Sequence, residues 1–232
     1  MKPIKRILTI SLLLVLCFTL SACATGNENV LGVTYPTTPL DTASGGSAAQ
    51  SDDAIAAGEV YRNEYFQFTC NLSDEWYVLN PDELSQMLGV TYDALGSGKA
   101  GELVQDAFNN GDTQMDFYAI NTVDIQTINV VLSKAKILEV LLSDQQLLKA
   151  SVPLLTSGLT DMGATDIQSD VQQITFLGKD RAALIVKANY QGSPIQETIF
   201  VIRQGGYLAS ITITDMTGSP TTDYVDYFQV IE

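Results

Sequence analysis

The clearest pattern in the chain lies in its last third, where four β-rich runs alternate with short glycine-containing segments. The runs are residues 171–177, 181–190, 195–203 and 207–214. The segments between them contain Gly178, Gly192 and the pair Gly205-Gly206, which are turn sequences of hairpin type. Because connections this short allow only antiparallel neighbours, the pattern predicts a four-stranded meander. Apolar residues fall on both faces of these strands, so we expect helices on both sides of the sheet.

The middle of the chain carries signals for a strand pair and a long helix. Residues 114–120 and 126–132 are β-rich and predict two strands. Ser143 and Gln146 have the spacing of a capping box, which predicts a helix over residues 144–162. Its apolar positions recur at helical spacing, and Pro153 inside it should bend or loosen the helix.

The residues before the strand pair predict a strand and two short helices. An aromatic alternating run over 59–72 predicts a strand that places Phe66, Phe68, Cys70 and Leu72 on one face. The sequence Asn80-Pro81-Asp82-Glu83 is typical of a helix start, and the helix should continue to about residue 88. A second helical stretch is predicted over 100–108, and a final short helix near Pro220. The expected class is α+β.

The N-terminus has the layout of a secretory signal. Lys2, Lys5 and Arg6 precede an apolar run over residues 7–20, which at fourteen residues is short for a membrane-spanning helix. The next residues complete the sequence Leu20-Ser21-Ala22-Cys23, which resembles the bacterial lipobox. The resemblance implies cleavage between Ala22 and Cys23, a diacylglycerol thioether on Cys23, and acylation of the new amine by a chain such as palmitate. The alternative is an ordinary signal peptide followed by a chance cysteine.

These signals divide the chain into three parts. Residues 1–22 are the predicted signal peptide, and residues 23–57 are the lipidated cysteine with a linker rich in Gly, Ser, Thr, Ala and Asp. Residues 58–232 suit one folded domain. The predicted location is the extracytoplasmic face of the cell membrane, with the lipid anchor as the contact to the membrane.

The charge of the chain excludes one class of partner. Without the signal peptide, 9 Lys and Arg stand against 27 Asp and Glu, a net charge of −18. Nucleic acid binding needs clustered cations, so no nucleic acid is expected as a ligand. An envelope protein or a cell-wall component is the expected kind of partner.

Most catalytic chemistry is excluded by composition. The chain contains no His, which removes serine and cysteine triads and His-based zinc sites. Ser133 and Lys136 match the SxxK spacing of serine acylases, but the companion motifs of that class are absent. Cys70 has no partner for a disulfide or a thiolate metal site, and its place in an alternating run favours a core thiol. No catalytic residue, metal ligand or cofactor is predicted.

The one candidate binding surface is Asp74, Glu75 and Trp76, where two acids stand beside the single tryptophan. An aromatic platform beside acids can bind a sugar. The alternative is that Trp76 packs in the core and the acids form a solvated turn.

The order of elements resembles the PsbP-like family, which includes many bacterial lipoproteins. The local match is the aromatic strand over 61–72 that leads into Asp74-Glu75-Trp76, although Ser73 and Glu75 stand where the family often has Pro and Gly. The resemblance covers residues 59–232 and implies an α-β-α sandwich with a binding or assembly role. No site residue is carried over from the family. The two functional hypotheses are therefore a non-catalytic binding domain and, as the alternative, a carboxylate-dependent hydrolase acting on glycan or peptide.

Overall fold

The centre of the fold is a seven-stranded antiparallel sheet, seen in a computed structural model that describes residues 46–47, 60–95, 105–121 and 123–231. Its strand order is β4-β5-β6-β10-β9-β8-β7. The strands are β4 (Trp76–Val78), β5 (Thr113–Asn121), β6 (Gln126–Lys134), β7 (Ala164–Phe176), β8 (Lys179–Tyr190), β9 (Ser193–Gln204) and β10 (Tyr207–Asp215). The predicted meander is thus confirmed as β7 to β10, with β10 also pairing with β6.

A second, four-stranded sheet contains β1 (Gly46–Ser47), β2 (Val60–Asn63), β3 (Phe68–Asn71) and β11 (Phe228–Val230). The strand predicted over 59–72 is therefore a hairpin, not one continuous strand. The chain turns at residues 64–67, where Gln67 has a positive φ of 61° and Asn63 Oδ1 accepts a hydrogen bond from Phe66 N. The predicted shared face holds, because Phe66, Phe68, Cys70 and Leu72 all pack in one core.

Three α-helices lie between the strands: α1 (Pro81–Leu95), α2 (Ile137–Leu141) and α3 (Asp144–Asp161). Both predicted capping boxes are present. Glu83 N donates to Asn80 Oδ1 at 3.0 Å at the start of α1, and Gln146 N donates to Ser143 Oγ at 3.3 Å at the start of α3. The helix predicted over 100–108 lies partly outside the described residues, and residues 105–109 form one helical turn. A 3-10 helix (Thr221–Tyr227) follows Pro220.

The two faces of the large sheet pack against different layers. Leu84 and Leu88 of α1 and Leu155 and Leu159 of α3 contribute to the core on one face. On the other face, the core contains Tyr61, Phe68 and Phe228 of the small sheet, with Tyr224 and Tyr227 of the 3-10 helix packed against it. The α+β class is confirmed. Within the described residues, however, α-helices cover one face only, because the N-terminal aromatic run folds back as a hairpin over the other face.

The predicted signal peptide over 1–22 lies outside the described residues, as does Cys23. Of the predicted linker, the structure describes only residues 46–47, which pair with Tyr61 and Arg62 of β2. No helix in the described parts of the chain is long and apolar enough to span a membrane.

Candidate functional site

A cleft of about 570 Å³ lies between α1, the helical turn at 105–109 and the start of β5. We call it the α1 cleft. Its apolar lining comes from α1, the helical turn and β5. Its polar lining comes from α1, β5 and the end of β6. The apolar residues are Pro81, Leu84, Leu88, Phe108 and Met115, and the polar side chains are Ser85, Thr113, Gln114 and Lys134.

The position of α1 over this cleft follows from local sequence. Asn80 and Glu83 fix the first turn of the helix by their reciprocal hydrogen bonds, because Asn80 N also donates to Glu83 Oε2 at 2.9 Å. From that start, Leu84 and Leu88 are four residues apart and fall on the same helix face. Both side chains pack against the hydrophobic core that contains Met115 of β5. The cleft therefore has helix α1 on one side and the sheet on the other.

The rim of the cleft carries an ion pair. Lys134 Nζ lies 3.2 Å from Asp112 Oδ1, and both side chains are partly exposed. Lys134 N also donates to Asp112 O at 2.9 Å, so β6 and the turn before β5 are joined twice. The only cation among the cleft residues is thus already paired with a carboxylate.

A row of buried polar side chains crosses the same face of the sheet further in. Ser210, Thr212 and Thr214 alternate along β10, and Glu197 of β9 lies opposite Thr214 in the pairing register. Thr214 Oγ1 donates to Glu197 Oε1 at 3.2 Å. We call Glu197, Ser210, Thr212 and Thr214 the polar strip.

Glu197 is the one acid of this strip, and its pKa is strongly perturbed. Its side chain is fully buried, and burial raises the pKa of Glu197 well above its ordinary value, while the hydrogen bond from Thr214 lowers it in part. Among the residues that the structure describes, its second oxygen, Oε2, has no hydrogen-bond partner, and neither do Ser210 Oγ and Thr212 Oγ1. A buried polar atom without a partner costs about 1–3 kcal/mol, so three of them on adjacent strands are a costly arrangement.

The neighbouring acid Asp215 does not form a pair with Glu197. Successive side chains of a strand point to opposite faces, so Asp215 lies on the face opposite Thr214 and Glu197. There, Asp215 Oδ1 accepts hydrogen bonds from Thr217 N at 2.8 Å, Thr217 Oγ1 at 2.7 Å and Ser219 N at 2.9 Å. Asp215 therefore holds the turn after β10, and it has a structural role.

The surface predicted from sequence is divided by the structure. Asp74 and Glu75 are exposed in the turn before β4, whereas Trp76 is buried and its ring lies 5.8 Å from that of Tyr227 in an edge-to-face contact. The tryptophan therefore packs in the core and offers no open ring face beside the acids.

The remaining sequence candidates take structural positions. Cys70 is buried, and burial raises the pKa of its thiol, which makes it a core residue as predicted. Ser133 is buried near the end of β6. No group of three or more His, Cys, Asp or Glu residues in the described part of the chain could hold a metal ion.

The α1 cleft and the polar strip were not predicted from sequence. The strip has a visible signal, because Ser210, Thr212 and Thr214 occupy every second position of β10, between Ala209, Ile211 and Ile213. That pattern is typical of a strand with one polar face, which is usually exposed to solvent. Only the packing of the α3 side chains against this face of the sheet shows that it is buried.

No family model matches the chain. No curated protein matches it either. Among solved structures, 18 chains match.

Two of these structures are similar to this chain at low sequence identity and low TM-score. A crystal structure from Bacteroides thetaiotaomicron VPI-5482 is 10% identical with a TM-score of 0.37, and the match covers 76% of this chain and 50% of that chain. This chain thus spans about half the length of the Bacteroides protein. LpqN of Mycobacterium tuberculosis, described as involved in cell envelope biogenesis, is 13% identical with a TM-score of 0.34, over 52% of this chain and 79% of that chain. At these TM-scores, neither likeness carries an argument about function.

Proposed function

We propose that this protein is a lipid-anchored component of the cell envelope whose α+β domain binds a ligand without catalysing a reaction. Anchoring through Cys23 at the extracytoplasmic face rests on the lipobox Leu20-Ser21-Ala22-Cys23. The resemblance of residues 59–232 to the PsbP-like family belongs to the same proposal and agrees with a binding or assembly role.

The observation that carries the binding role is the α1 cleft. Its volume of about 570 Å³ lies within the range of small-molecule sites. Its walls are mostly apolar and a few hydrogen-bonding side chains stand at its edges, which is the usual composition of such sites. An apolar molecule, or the apolar part of a larger one, is the ligand that these walls favour.

A carboxylate-dependent hydrolase finds no support in the two buried acids of the central strands. A glycosidase needs two carboxyl groups about 5–10 Å apart on either side of an accessible bond. Glu197 and Asp215 point to opposite faces of the sheet, and Asp215 is engaged by hydrogen bonds from the following turn. Asp74 and Glu75 are exposed and lie in a turn, not on opposing walls.

The anchoring part of the proposal predicts the effect of Cys23→Ser. The variant should lose incorporation of labelled palmitate and move from the membrane to the soluble extracytoplasmic fraction, because no acyl chain remains to hold a domain of this negative charge. Cys17→Ser is the matched control, since it removes a cysteine from the apolar run and leaves the lipobox intact. Palmitate label retained by Cys23→Ser would contradict the anchor assignment.

The binding part of the proposal predicts the effect of filling the α1 cleft. We expect the mature chain, residues 23–232 carrying Cys23→Ser, to bind the uncharged fluorescent probe N-phenyl-1-naphthylamine saturably. Ser85→Trp places an indole in the cleft and should weaken that binding about tenfold or more. Gln86→Trp is the matched control, because Gln86 is an exposed residue of the same helix that does not line the cleft. Equal affinities in the two variants would rule out the α1 cleft as the binding site.

A further inference from the structure

Helix α2 buries its acid and exposes apolar side chains. Glu139 has an exposed fraction of 2%, whereas its neighbours Val140 and Leu141 are exposed by 47% and 61%. An acid is rarely fully buried, and exposed apolar side chains that lie together mark interaction sites more often than scattered ones do. Among the residues that the structure describes, Val140 and Leu141 are the only exposed large apolar side chains that are adjacent in the chain. We call them the exposed pair.

Hydrogen bonds at Glu139 fix the orientation of α2. Lys136 N donates to Glu139 Oε2 at 2.7 Å, and Arg203 Nη1 donates to Glu139 O at 2.6 Å. Arg203, near the end of β9, also forms an ion pair with Asp144 at the start of α3, where Nε lies 2.8 Å from Oδ1. Because Glu139 is held against the protein in this way, the exposed pair is held at the surface.

Three segments lie together at one end of the large sheet, which we call the α2 end. They are α2, the turn between β9 and β10, and the hairpin turn at residues 64–67. Ala135 N, just before α2, donates to Gly206 O at 2.8 Å, and Tyr65 Oη of the hairpin turn donates to Gln204 O at 3.2 Å. The exposed pair therefore lies at the same end of the domain as the turn of its first hairpin.

The described residues nearest in sequence to the predicted lipid anchor also lie at the α2 end. Strand β1 pairs Gly46 with Arg62, two residues before the hairpin turn at 64–67. Gly46 follows Cys23 by 23 residues, and a chain of that length reaches at most about 80 Å. A bilayer that holds Cys23 thus stays within reach of the α2 end, and contact between the two is an intramolecular step at high effective concentration.

Cations accompany the exposed pair. Lys179 and Arg181 line a pocket of about 380 Å³ together with Ser143 and Asp144, which follow Leu141 closely in the chain. Within the part of the chain that the structure describes, neither Lys179 nor Arg181 forms an ion pair. The pocket therefore offers two cations to an anionic group beside the exposed pair.

The opposite end of the sheet is acidic. Lys187 is the one cation that the structure describes there, and the acids at that end outnumber it. The exposed acids are Asp74, Glu75, Asp124, Asp166, Asp223 and Asp226. An anionic surface therefore repels this end of the domain and attracts the α2 end.

We propose that the α2 end is the membrane-facing surface of the anchored domain. Val140 and Leu141 enter the interfacial layer of the bilayer, and Lys179 and Arg181 contact the phosphate groups of anionic phospholipid. This assignment rests on the proposed anchor at Cys23, and it adds the orientation of the domain. Two apolar side chains are too small a contact to hold a chain of net charge −18 on a membrane, so the contact forms only while the anchor is attached.

The test couples the mature chain, residues 23–232, through its Cys23 thiol to a maleimide lipid in vesicles of phosphatidylcholine and phosphatidylglycerol. Cys70 is buried and should not compete for the maleimide. Val140→Trp places an indole in the exposed pair. Val123→Trp is the matched control, because Val123 is exposed by 71% and lies between β5 and β6 at the opposite end.

Brominated phosphatidylcholine, which quenches tryptophan on contact, reports which end meets the bilayer. It should quench the fluorescence of Val140→Trp about threefold or more as strongly as that of Val123→Trp, since an indole at the exposed pair enters the interfacial layer. Trp76 is buried and contributes equally to both variants.

Lys179→Glu, combined with Val140→Trp, tests the contribution of charge. Reversing this charge should reduce the quenching by about half or more, because the cation no longer contacts anionic phospholipid. Lys187→Glu is the matched control, since Lys187 is an exposed lysine of the same strand at the opposite end, and it should leave the quenching unchanged.

Equal quenching of Val140→Trp and Val123→Trp would overturn the membrane-facing assignment, and so would quenching that Lys179→Glu leaves unchanged. A dimer of the mature Cys23→Ser chain in analytical ultracentrifugation, dissociated by Leu141→Asp, would also overturn it, because the exposed pair would then bind a second copy of the chain. The coupling to maleimide lipid does not depend on acylation in the cell. Failure of the membrane-facing surface is therefore distinguishable from failure of the anchor, which palmitate labelling of Cys23→Ser measures.

Discussion

Raising the pH from about 5 to about 9 lowers the free energy of unfolding of the wild-type protein, and Glu197→Gln removes most of that loss. The cause is the buried carboxyl of Glu197, whose pKa in the folded protein is raised well above its ordinary value, chiefly by burial and against the hydrogen bond from Thr214. The folded state therefore holds its proton at a pH where the unfolded chain releases it.

The sign follows from this difference. The stabilising contribution of Glu197 is fully present below the unfolded pKa of about 4.3 and is lost as the pH rises through the folded pKa. Within that window, the loss is about 1.4 kcal/mol for each pH unit. Glutamine has nearly the shape of the protonated acid and does not ionise. The Glu197→Gln variant therefore does not lose this part of its free energy of unfolding as the pH rises.

Urea unfolding followed by the fluorescence of Trp76, at several pH values, measures the effect. Glu75→Gln is the matched control, because Glu75 is exposed and should leave the pH dependence as it is. The free energy of unfolding of Glu197→Gln should still depend on pH to some extent. The reason is that burial also raises the pKa of Glu139, against the opposing effects of Lys136 and Arg203. If the free energy of unfolding changes with pH equally in wild type and Glu197→Gln, Glu197 is not buried as a neutral acid.

Local signals in the sequence were sufficient for most of the elements. Alternation and glycine turns predicted the strands of the meander. The largest difference in bounds is in the first of them, predicted over 171–177 and observed as Ala164–Phe176. Capping spacing predicted the starts of α1 and α3, because the groups that satisfy the first helical N–H atoms are close in sequence. Such signals depend on neighbouring residues, which a sequence displays directly.

The elements that differ from the prediction differ because of contacts between residues far apart in the chain. The run over 59–72 alternates as a strand should, yet it turns at Gln67 so that Tyr61 and Phe68 both reach the core beneath the large sheet. The five-residue helix α2 has too few positions to show a helical period, and it was not predicted.

The candidate site is harder to predict than the elements, because its residues meet only through strand pairing. Leu84 and Met115 are 31 residues apart in the chain, and Ser210 reaches the same sheet face through the pairing of β6 with β10. A one-residue shift in that register would turn the hydroxyls of β10 to the opposite face. The sequence shows the polar period of the strand, but not which layer covers it.

Asp215→Ala should be the most destabilising substitution in the turn after β10, with a loss of about 3–5 kcal/mol in the free energy of unfolding. Besides its three bonds from Thr217 and Ser219, the carboxylate accepts hydrogen bonds from Gln126 Nε2 at 3.1 Å and Tyr224 Oη at 3.4 Å. Alanine leaves these donors without their acceptor, and one of them, the amide of Gln126, is buried.

Urea unfolding measures this loss, and Asp226→Ala is the matched control because Asp226 is an exposed acid of the 3-10 helix. Asp215→Asn keeps one carbonyl acceptor and should lose less, which keeps the test possible if the alanine variant does not fold. Tyr224 provides a second measurement, since burial, followed by the charge and hydrogen bond of Asp215, raises the pKa of Tyr224 to about 12. Ultraviolet titration of Asp215→Asn should show Tyr224 ionising at lower pH than in wild type. An unchanged titration together with wild-type stability would show that Asp215 does not hold the 3-10 helix against the sheet.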